Sequence, residues 1–216
     1  MHLKRTEMPK EWPIARKGSK YIAVATHAKT KSLPLLFIVR DILKLARTRK
    51  EVEYMTRNKE VKINNKARKE DTYPVQVFDT IQFEKTGKNY RLIISNRKFK
   101  LEEVSAKEAE RKVVKIVGKK LLGGKKIQMN LQTGENFLSN EKFFVGDSVI
   151  LNTKQNKIEK VLSLKEGANV EVIVGKHAGQ KGKLKTIETL ARQKVYHIKL
   201  NDKEAVLPFK AILVVE

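Results

Sequence analysis

Cysteine is absent from the 216 residues, which removes disulfides, thiol nucleophiles and cysteine metal sites together. That absence fits a reducing cytosol. Histidine is scarce: His2, His27, His177 and His197 form no helical i, i+4 pair and no HExxH run, so no metal site is expected. Aromatics make up 6% of the chain, with a single tryptophan, too few for broad stacking platforms along single strands. No uncharged run approaches the ~20 residues of a spanning helix, and no basic segment pairs with a strong Trp/Phe/Leu face that would lie on a membrane. "MHLKRTEMPK" lacks an apolar h-region, so no signal peptide is expected.

Acid is also in short supply. The chain has 24 Asp and Glu against 47 Lys and Arg, a net charge of +23, where a small soluble domain typically carries about 2–8 in magnitude. Like charges at that density repel one another and cost fold stability. A polyanionic partner that neutralises them is the simplest reason to keep them, and nucleic acid leads the candidates. Residues 1 to 70 hold 19 basic and 7 acidic side chains, over twice the charge density of the remainder. Binding is therefore expected to concentrate there.

The length suits two or three small modules rather than one large core. Residues 1–31 carry few apolar side chains apart from "YIAVA", and Pro9, Pro13 and Gly18 interrupt any helix. Such a segment cannot order itself alone. It is either a flexible tail or a basic arm that orders on RNA, with Lys4, Arg5, Arg16 and Lys17 on phosphates. Trp12 could stack on a base or pack onto the next module.

In residues 32–100, Leu35, Ile38, Val39, Ile42, Leu43 and Ala46 recur on one face of a helix, with Arg40, Lys44 and Arg47 opposite. Ser32 reads as the N-cap, with Pro34 early in the helix. A shorter helix follows through Val52 and Met55. "VKINNK" alternates Val61 and Ile63 with Lys62 and Asn64, and Asn64-Asn65 suits a tight turn because Asn tolerates positive φ. Strands continue through Val75, Val77, Ile81 and Phe83, then Leu92 and Ile94, with a hairpin at Thr86-Gly87. Residues 101–165 alternate in short runs ("RKVVKIVGKK", "KIQMNLQTG", "FFVGDSVIL"), with one helix expected over Ser105–Lys112 and loops at "LSNEKFF" and "NTKQNK". This reads as a small β-barrel-like module.

The last module, 166–216, holds "VEVIVGKHAGQKGKLKTI". Val170, Val172 and Val174 alternate, and then Gly175, Gly179 and Gly182 are interleaved with Lys176, His177, Lys181 and Lys183. A Walker loop requires G-x-x-x-x-G-K-[ST]. Here Leu184 stands where the hydroxyl should be and His177 where the first glycine should be, so no nucleotide pocket is built. The run is similar to a KOW motif: glycine allows a tight reversal and close approach of backbone to phosphate or base. Gly175 and Gly179 would shape the loop, and Gly182 would turn the chain back with Leu184 inside. Lys176, Lys181 and Lys183 would meet phosphates. A protein-binding SH3-like barrel is the alternative.

Two resemblances rest on these residues. Arg47/Arg49, "VKINNK", Pro74 and "VFDTI" resemble the small RNA-binding module shared by several ribosomal proteins, some pseudouridine synthases and tyrosyl-tRNA synthetase tails. Asn65 and Phe78 stand at that signature's two glycines. The resemblance places its RNA-facing surface on the first helix and the hairpin, which adds Lys62, Lys66 and Arg68 to the candidate contacts. Over the whole chain, "HLKR", "PKEW", "LPLLFIVRDILKLA", "VKINNKARKEDTYPVQVFDTI", "KTGKNYRLI", "GGKKIQMNLQTGEN" and "GANVEVIVGKHAGQKGKL" occur in an order that resembles the ribosomal S-four-e family. The stop at Val215-Glu216 leads to the expectation of an archaeal-type form.

The family implies a non-catalytic, cytoplasmic constituent of the small ribosomal subunit. Its partners would be small-subunit ribosomal RNA and neighbouring ribosomal proteins, with no cofactor, membrane or small-molecule substrate. The fold expected is α+β, mostly β: an S-four-like helix–hairpin module, then two small β-barrel-like modules, the last an SH3-like KOW barrel. An RNA-modifying enzyme would need a catalytic domain that the remaining residues do not offer. A KOW transcription factor is disfavoured by the basic arm and the hairpin module.

Overall fold

The computed structural model describes residues 3–29, 31–123, 126–139, 142–190, 193–200 and 203–216. His2, and Asn140 and Glu141 of the expected 138–144 loop, lie outside the described residues. The chain separates into two compact units, Met1–Glu110 and Arg111–Glu216. It is mostly β with few helices, and no helix among the described residues is long and apolar enough to cross a membrane.

The first unit begins with β1 (Leu3–Lys4) paired antiparallel to β2 (Tyr21–Ile22). This opening segment is folded onto the remainder of the unit. Trp12 is 2% exposed, its ring tilted against Phe37 at 5.4 Å between centroids, and its Nε1 donates to the Ser32 carbonyl at 3.0 Å. Met8, Ile22, Val24 and Ala25 are also buried, and the Phe99 N–H donates to the Glu11 carbonyl at 2.9 Å. These few apolar side chains form no core by themselves, but the later elements of the unit supply one.

Ser32 lies in β3 (Ser32–Pro34) and does not cap the helix; its Oγ donates to the Ala28 carbonyl at 2.8 Å. Pro34 occupies the cap position of α1 (Leu35–Phe37), which widens to π-helical spacing over Ile38–Ile42. The Leu43 N–H reaches the Ile38 carbonyl at 2.9 Å, and Lys44 enters the left-handed region at φ 54°. The helix therefore ends before Ala46, without the glycine or asparagine that usually announces such a stop. Of the expected inner face, Leu35, Ile38 and Val39 are fully buried but Ile42 and Leu43 only half-buried, while Leu36 and Phe37, off that face, are buried as well.

Thr48 caps α2 (Arg49–Arg57), accepting from the Glu51 N–H, while Glu51 accepts from the Arg47 N–H at 2.8 Å and the Thr48 hydroxyl at 3.0 Å. These donors hold the Glu51 carboxyl below its usual range, the Arg47 N–H most of all. β4 (Val61–Ile63) and β5 (Lys66–Ala67) form the hairpin, with Asn64 and Asn65 both at positive φ. β6 (Pro74–Gln76) pairs with β3, and β7 (Thr80–Phe83), β8 (Asn89–Ser95) and β9 (Lys98–Glu103) complete a sheet ordered β5-β4-β7-β8-β9. The hairpin turn at Gly87 is present at φ 66°. α3 (Ala106–Ala109), shorter than the helix expected there, is capped reciprocally by Ser105 and Glu108. It packs back on this sheet, with the Thr80 hydroxyl donating to the Ala109 carbonyl at 2.9 Å.

The second unit is two five-stranded sheets. β10 (Arg111–Leu121), β11 (Ile127–Leu131), β12 (Asn136–Ser139), β13 (Ser148–Asn152) and β14 (Lys157–Leu162) are ordered β12-β11-β10-β13-β14. β10 serves both halves: Arg111–Lys115 pair with β13, and the strand continues onto β11 with a register shift between Ile116 and Gly118. Met129, Ile116 and Val149 are fully buried at its centre.

The other sheet, ordered β18-β17-β16-β15-β19, consists of β15 (Asn169–Val172), β16 (Lys181–Leu190), β17 (Gln193–Leu200), β18 (Lys203–Pro208) and β19 (Ile212–Val214). Val170, Val172 and Leu184 are buried as the alternation predicts. Val174, expected beside them, is 46% exposed because β15 ends at Val172. Lys115 of β10 is buried, with its Nζ donating to the carbonyls of Phe209 and, at 2.9 Å, Ile212. The same ammonium sits 3.6 Å from the Phe209 ring centroid, and burial depresses its pKa to about 8.

Candidate nucleic-acid interface

Three arginines from separate segments of the first unit line one cleft of about 670 Å³: Arg5, Arg40 and Arg49, with Tyr21, Phe37 and Thr72 among the other walls. Each guanidinium is aimed by a local acceptor. Arg5 follows β1 and donates to the carbonyls of Ser19 at 2.8 Å and Ala15 at 2.5 Å, and to the Ser19 hydroxyl at 2.9 Å. Arg40, within the π-helical turn, pairs with Asp41 at 3.0 Å and lies over the Phe37 ring at 5.7 Å. Arg49, at the start of α2, pairs with the buried Asp71 at 2.7 Å and with Glu53 at 3.2 Å. The hydrogen bond to Asp71 raises the Arg49 pKa further, so its charge is permanent. A planar fork fixed in this way retains donors for phosphate oxygens at little entropic cost.

The structure sorts the remaining sequence candidates. Trp12 cannot stack on a base: its ring is in the core and its N–H is already used. Lys4, Arg16 and Lys17 are exposed, as are Lys44 and Arg47. Arg40, Lys44 and Arg47 do not share a helix face, because the helix ends at the positive φ of Lys44. Lys62 is engaged by Glu84. Lys66 is exposed on β5, and Arg68 stacks over Tyr73 at 4.6 Å. Asn64 braces the hairpin, donating to Asp79 at 2.8 Å and accepting from the Thr80 N–H at 3.0 Å. At Phe78, one of the signature's glycine positions, φ is 67°, and its N–H bonds the Leu92 carbonyl at 2.7 Å. The glycine-type backbone survives without the glycine.

In the last sheet, Gly175 and Gly179 do shape the loop, at φ 102° and 88°. Lys176 is exposed at its tip, and His177 shares a hydrogen bond with Gln180 at 3.1 Å. Gly182 has a different task from the expected reversal. It sits inside β16, where a Cβ would come within 2.3 Å of the Lys199 carbonyl oxygen, so it permits a close approach of two strands. Lys181 and Lys183 project from the exposed face of β16 rather than from the loop. Lys183 lies directly opposite Lys199 of β17, a residue the motif reading missed. The alternation of "YHIKL", with Tyr196, Ile198 and Leu200 buried, carries the signal that would have placed Lys199 outside. Among the described residues, no three His, Asp or Glu side chains converge as they would around a metal ion.

The architecture has a counterpart among solved structures. A crystal structure of the 30S ribosomal protein S4e from Thermoplasma acidophilum superimposes with a TM-score of 0.75 at 24% identity, over 87% of this chain and 96% of that one. The Ribosomal family S4e pattern matches residues 86–158. The small ribosomal subunit protein eS4 of Methanocella arvoryzae is 37% identical over 193 residues, 88% of this chain and 82% of that protein. Its counterpart from Pyrobaculum aerophilum is 32% identical over 213 residues, 94% of this chain and 90% of that protein. The chain belongs to the small ribosomal subunit protein eS4 family, whose members are structural, non-enzymatic components.

Proposed function

We propose that the chain binds folded small-subunit ribosomal RNA through its basic surfaces and stabilises it without catalysis, as a constituent of the small ribosomal subunit in the cytoplasm. The observation that carries this reading is the convergence of Arg5, Arg40 and Arg49 on one cleft in a chain of net charge +23. Phosphate contacts release condensed counterions, so six to ten of them make affinity fall by roughly 10³ to 10⁵-fold between 50 and 200 mM salt. Ribosomal RNA is recognised by backbone shape, 2′-hydroxyls and splayed bases rather than by reading a major groove. The last sheet, read as an SH3-like KOW barrel, adds Lys176, Lys181 and Lys183 as a second phosphate surface. Neighbouring ribosomal proteins are the remaining partners.

Co-sedimentation with small ribosomal subunits at moderate salt tests the reading. Stoichiometric pelleting that is lost as salt rises is the expected result. Sub-stoichiometric pelleting, or partition with RNA polymerase, would overturn it.

A further inference from the structure

We propose that the tip of the β8–β9 hairpin, Arg97 with Lys98 and Lys100, grips the sugar-phosphate backbone of a helical RNA segment beside the β4–β5 hairpin. This rests on the RNA-binding reading above and adds to it a site that charge patterning alone did not mark.

The two hairpins are built alike. Asn64-Asn65 links Ile63 to its cross-strand partner Lys66, and Asn96-Arg97 links Ser95 to Lys98. All four linking residues have positive φ, at 51° and 62° in the first turn and 50° and 63° in the second. Each is the two-residue turn whose backbone follows the twist of the strands it joins. The residues around them also correspond, "NNKAR" over 64–68 and "NRKFK" over 96–100. A lysine closes each turn, and another basic residue follows two positions on.

Register places both turns at the same end of the sheet. Ile63 lies opposite Ile81, and Ile81 opposite Tyr90, so β4 and β8 run in the same direction on either side of β7. The strand order β5-β4-β7-β8-β9 sets the two tips three strand spacings apart, about 14 Å. β4 turns after Ile63, whereas β8 continues from Tyr90 to Ser95, so the second tip stands roughly 16 Å further out. Its base is fixed: Ile94 and Phe99 are paired and buried, and the Phe99 N–H donates to the Glu11 carbonyl at 2.9 Å. Lys98 and Lys100 flank Phe99 and therefore share the opposite face of β9.

The residue chosen for the turn points to a ligand. The second position of such a turn favours glycine, and an arginine there strains the backbone. No core packing compensates, because Arg97, Lys98 and Lys100 are all exposed. What Arg97 adds is a planar fork of donors at the outermost point of the sheet, suited to phosphate oxygens. Double-stranded RNA is recognised by phosphate and 2′-hydroxyl contacts across its wide minor groove. Two cationic tips offset in this way can each meet a different strand.

The test uses the full chain and a transcript of the cognate small-subunit rRNA. Arg97→Gly removes the charge and relieves the backbone, so it should melt at or above the wild-type temperature yet bind the transcript roughly three- to tenfold more weakly at moderate salt. Arg97→Lys keeps the charge and should keep the wild-type salt slope. Arg97→Gln/Lys98→Gln/Lys100→Gln should lower the slope of log affinity against log salt by about 3 and expose one short run of riboses to hydroxyl-radical cleavage, with protection elsewhere retained. Circular dichroism establishes folding, and if the triple variant does not fold, Arg97→Gly decides alone. Wild-type affinity of Arg97→Gly, with an unchanged slope and footprint for the triple variant, would overturn the inference while leaving RNA binding intact. Failure of the wild-type chain to bind the transcript would overturn both. A crosslink from position 97 to a protein rather than to RNA in assembled subunits would assign the tip to an acidic protein segment, and would likewise overturn the inference.

Discussion

Lys183 and Lys199 face each other directly across β16 and β17 on the exposed side of the last sheet. The carboxylate in register with Lys199, Glu204, is taken by Lys185. Like charges placed opposite on a sheet destabilise it by roughly 0.2–1 kcal/mol, and a phosphate between them would reverse that cost. Lys199→Gln is therefore expected to raise the stability of the free protein slightly while weakening its binding to ribosomal RNA. For the double variant Lys183→Gln/Lys199→Gln, the salt slope of binding should fall by about 2, as for two lost phosphate contacts. An unchanged slope would remove this pair from the interface.

Neutralising the cleft arginines should matter more than neutralising lysines elsewhere. Arg40→Gln/Arg49→Gln is expected to weaken rRNA binding by about tenfold or more at moderate salt. Lys154→Gln/Lys157→Gln, in and beside the turn between β13 and β14, should have a much smaller effect. Filter binding at two salt concentrations measures both. Equal losses would argue against the cleft as the main contact.

Lys115 gives the fold a pH dependence of known sign. Its folded pKa is depressed to about 8, whereas an unfolded lysine keeps its proton to about 10.4. Between those values the unfolded chain binds more protons, so this residue's contribution to stability rises with pH across that window and is lowest below it. The difference amounts to about 3 kcal/mol at most. Denaturant unfolding of wild type against Lys115→Met at pH 7 and pH 10 should show the wild type gaining on the variant at the higher pH. A constant difference would mean that the ammonium is not desolvated as the structure has it.

Gly182→Ala should be among the most damaging single-methyl additions in the chain. The new Cβ meets a backbone carbonyl at 2.3 Å, so β16 and β17 must separate, at about 3 kcal/mol by analogy with overpacked cores. Gly134→Ala, where no atom lies within 4 Å but φ is 90°, should cost only about 1–2 kcal/mol of backbone strain. Thermal melts of the two variants settle the order.

Much of this was legible in the sequence, for physical reasons that differ by residue. Strand alternation placed Val61, Ile63, Val170 and Val172 on common faces that the fold buries, because a two-residue period fixes side-chain direction. Asn64-Asn65 revealed its turn because few residues accept two successive positive φ values. The end of the first helix stayed hidden, since Lys44 adopts the left-handed conformation without a residue type that advertises it. Trp12 could not be assigned because its partners, Ser32 and Phe37, are contacts of tertiary structure. The cleft was half visible: Arg5, Arg40 and Arg49 were each marked by charge, but only folding brings them together, and Tyr21 carried no signal of its own.

The bond from Phe99 to the carbonyl of Glu11 has a consequence for biosynthesis. Glu11 leaves the peptide tunnel ahead of this partner, which is translated 88 positions later. At roughly 5–20 residues per second, this opening segment waits on the order of ten seconds before it can dock fully. Trp12 meets Ser32 and Phe37 within 25 positions, but the tie from Phe99 to Glu11 forms only after Phe99 has emerged. Trimming the opening segment as a dispensable leader would strip the finished unit of part of its lining.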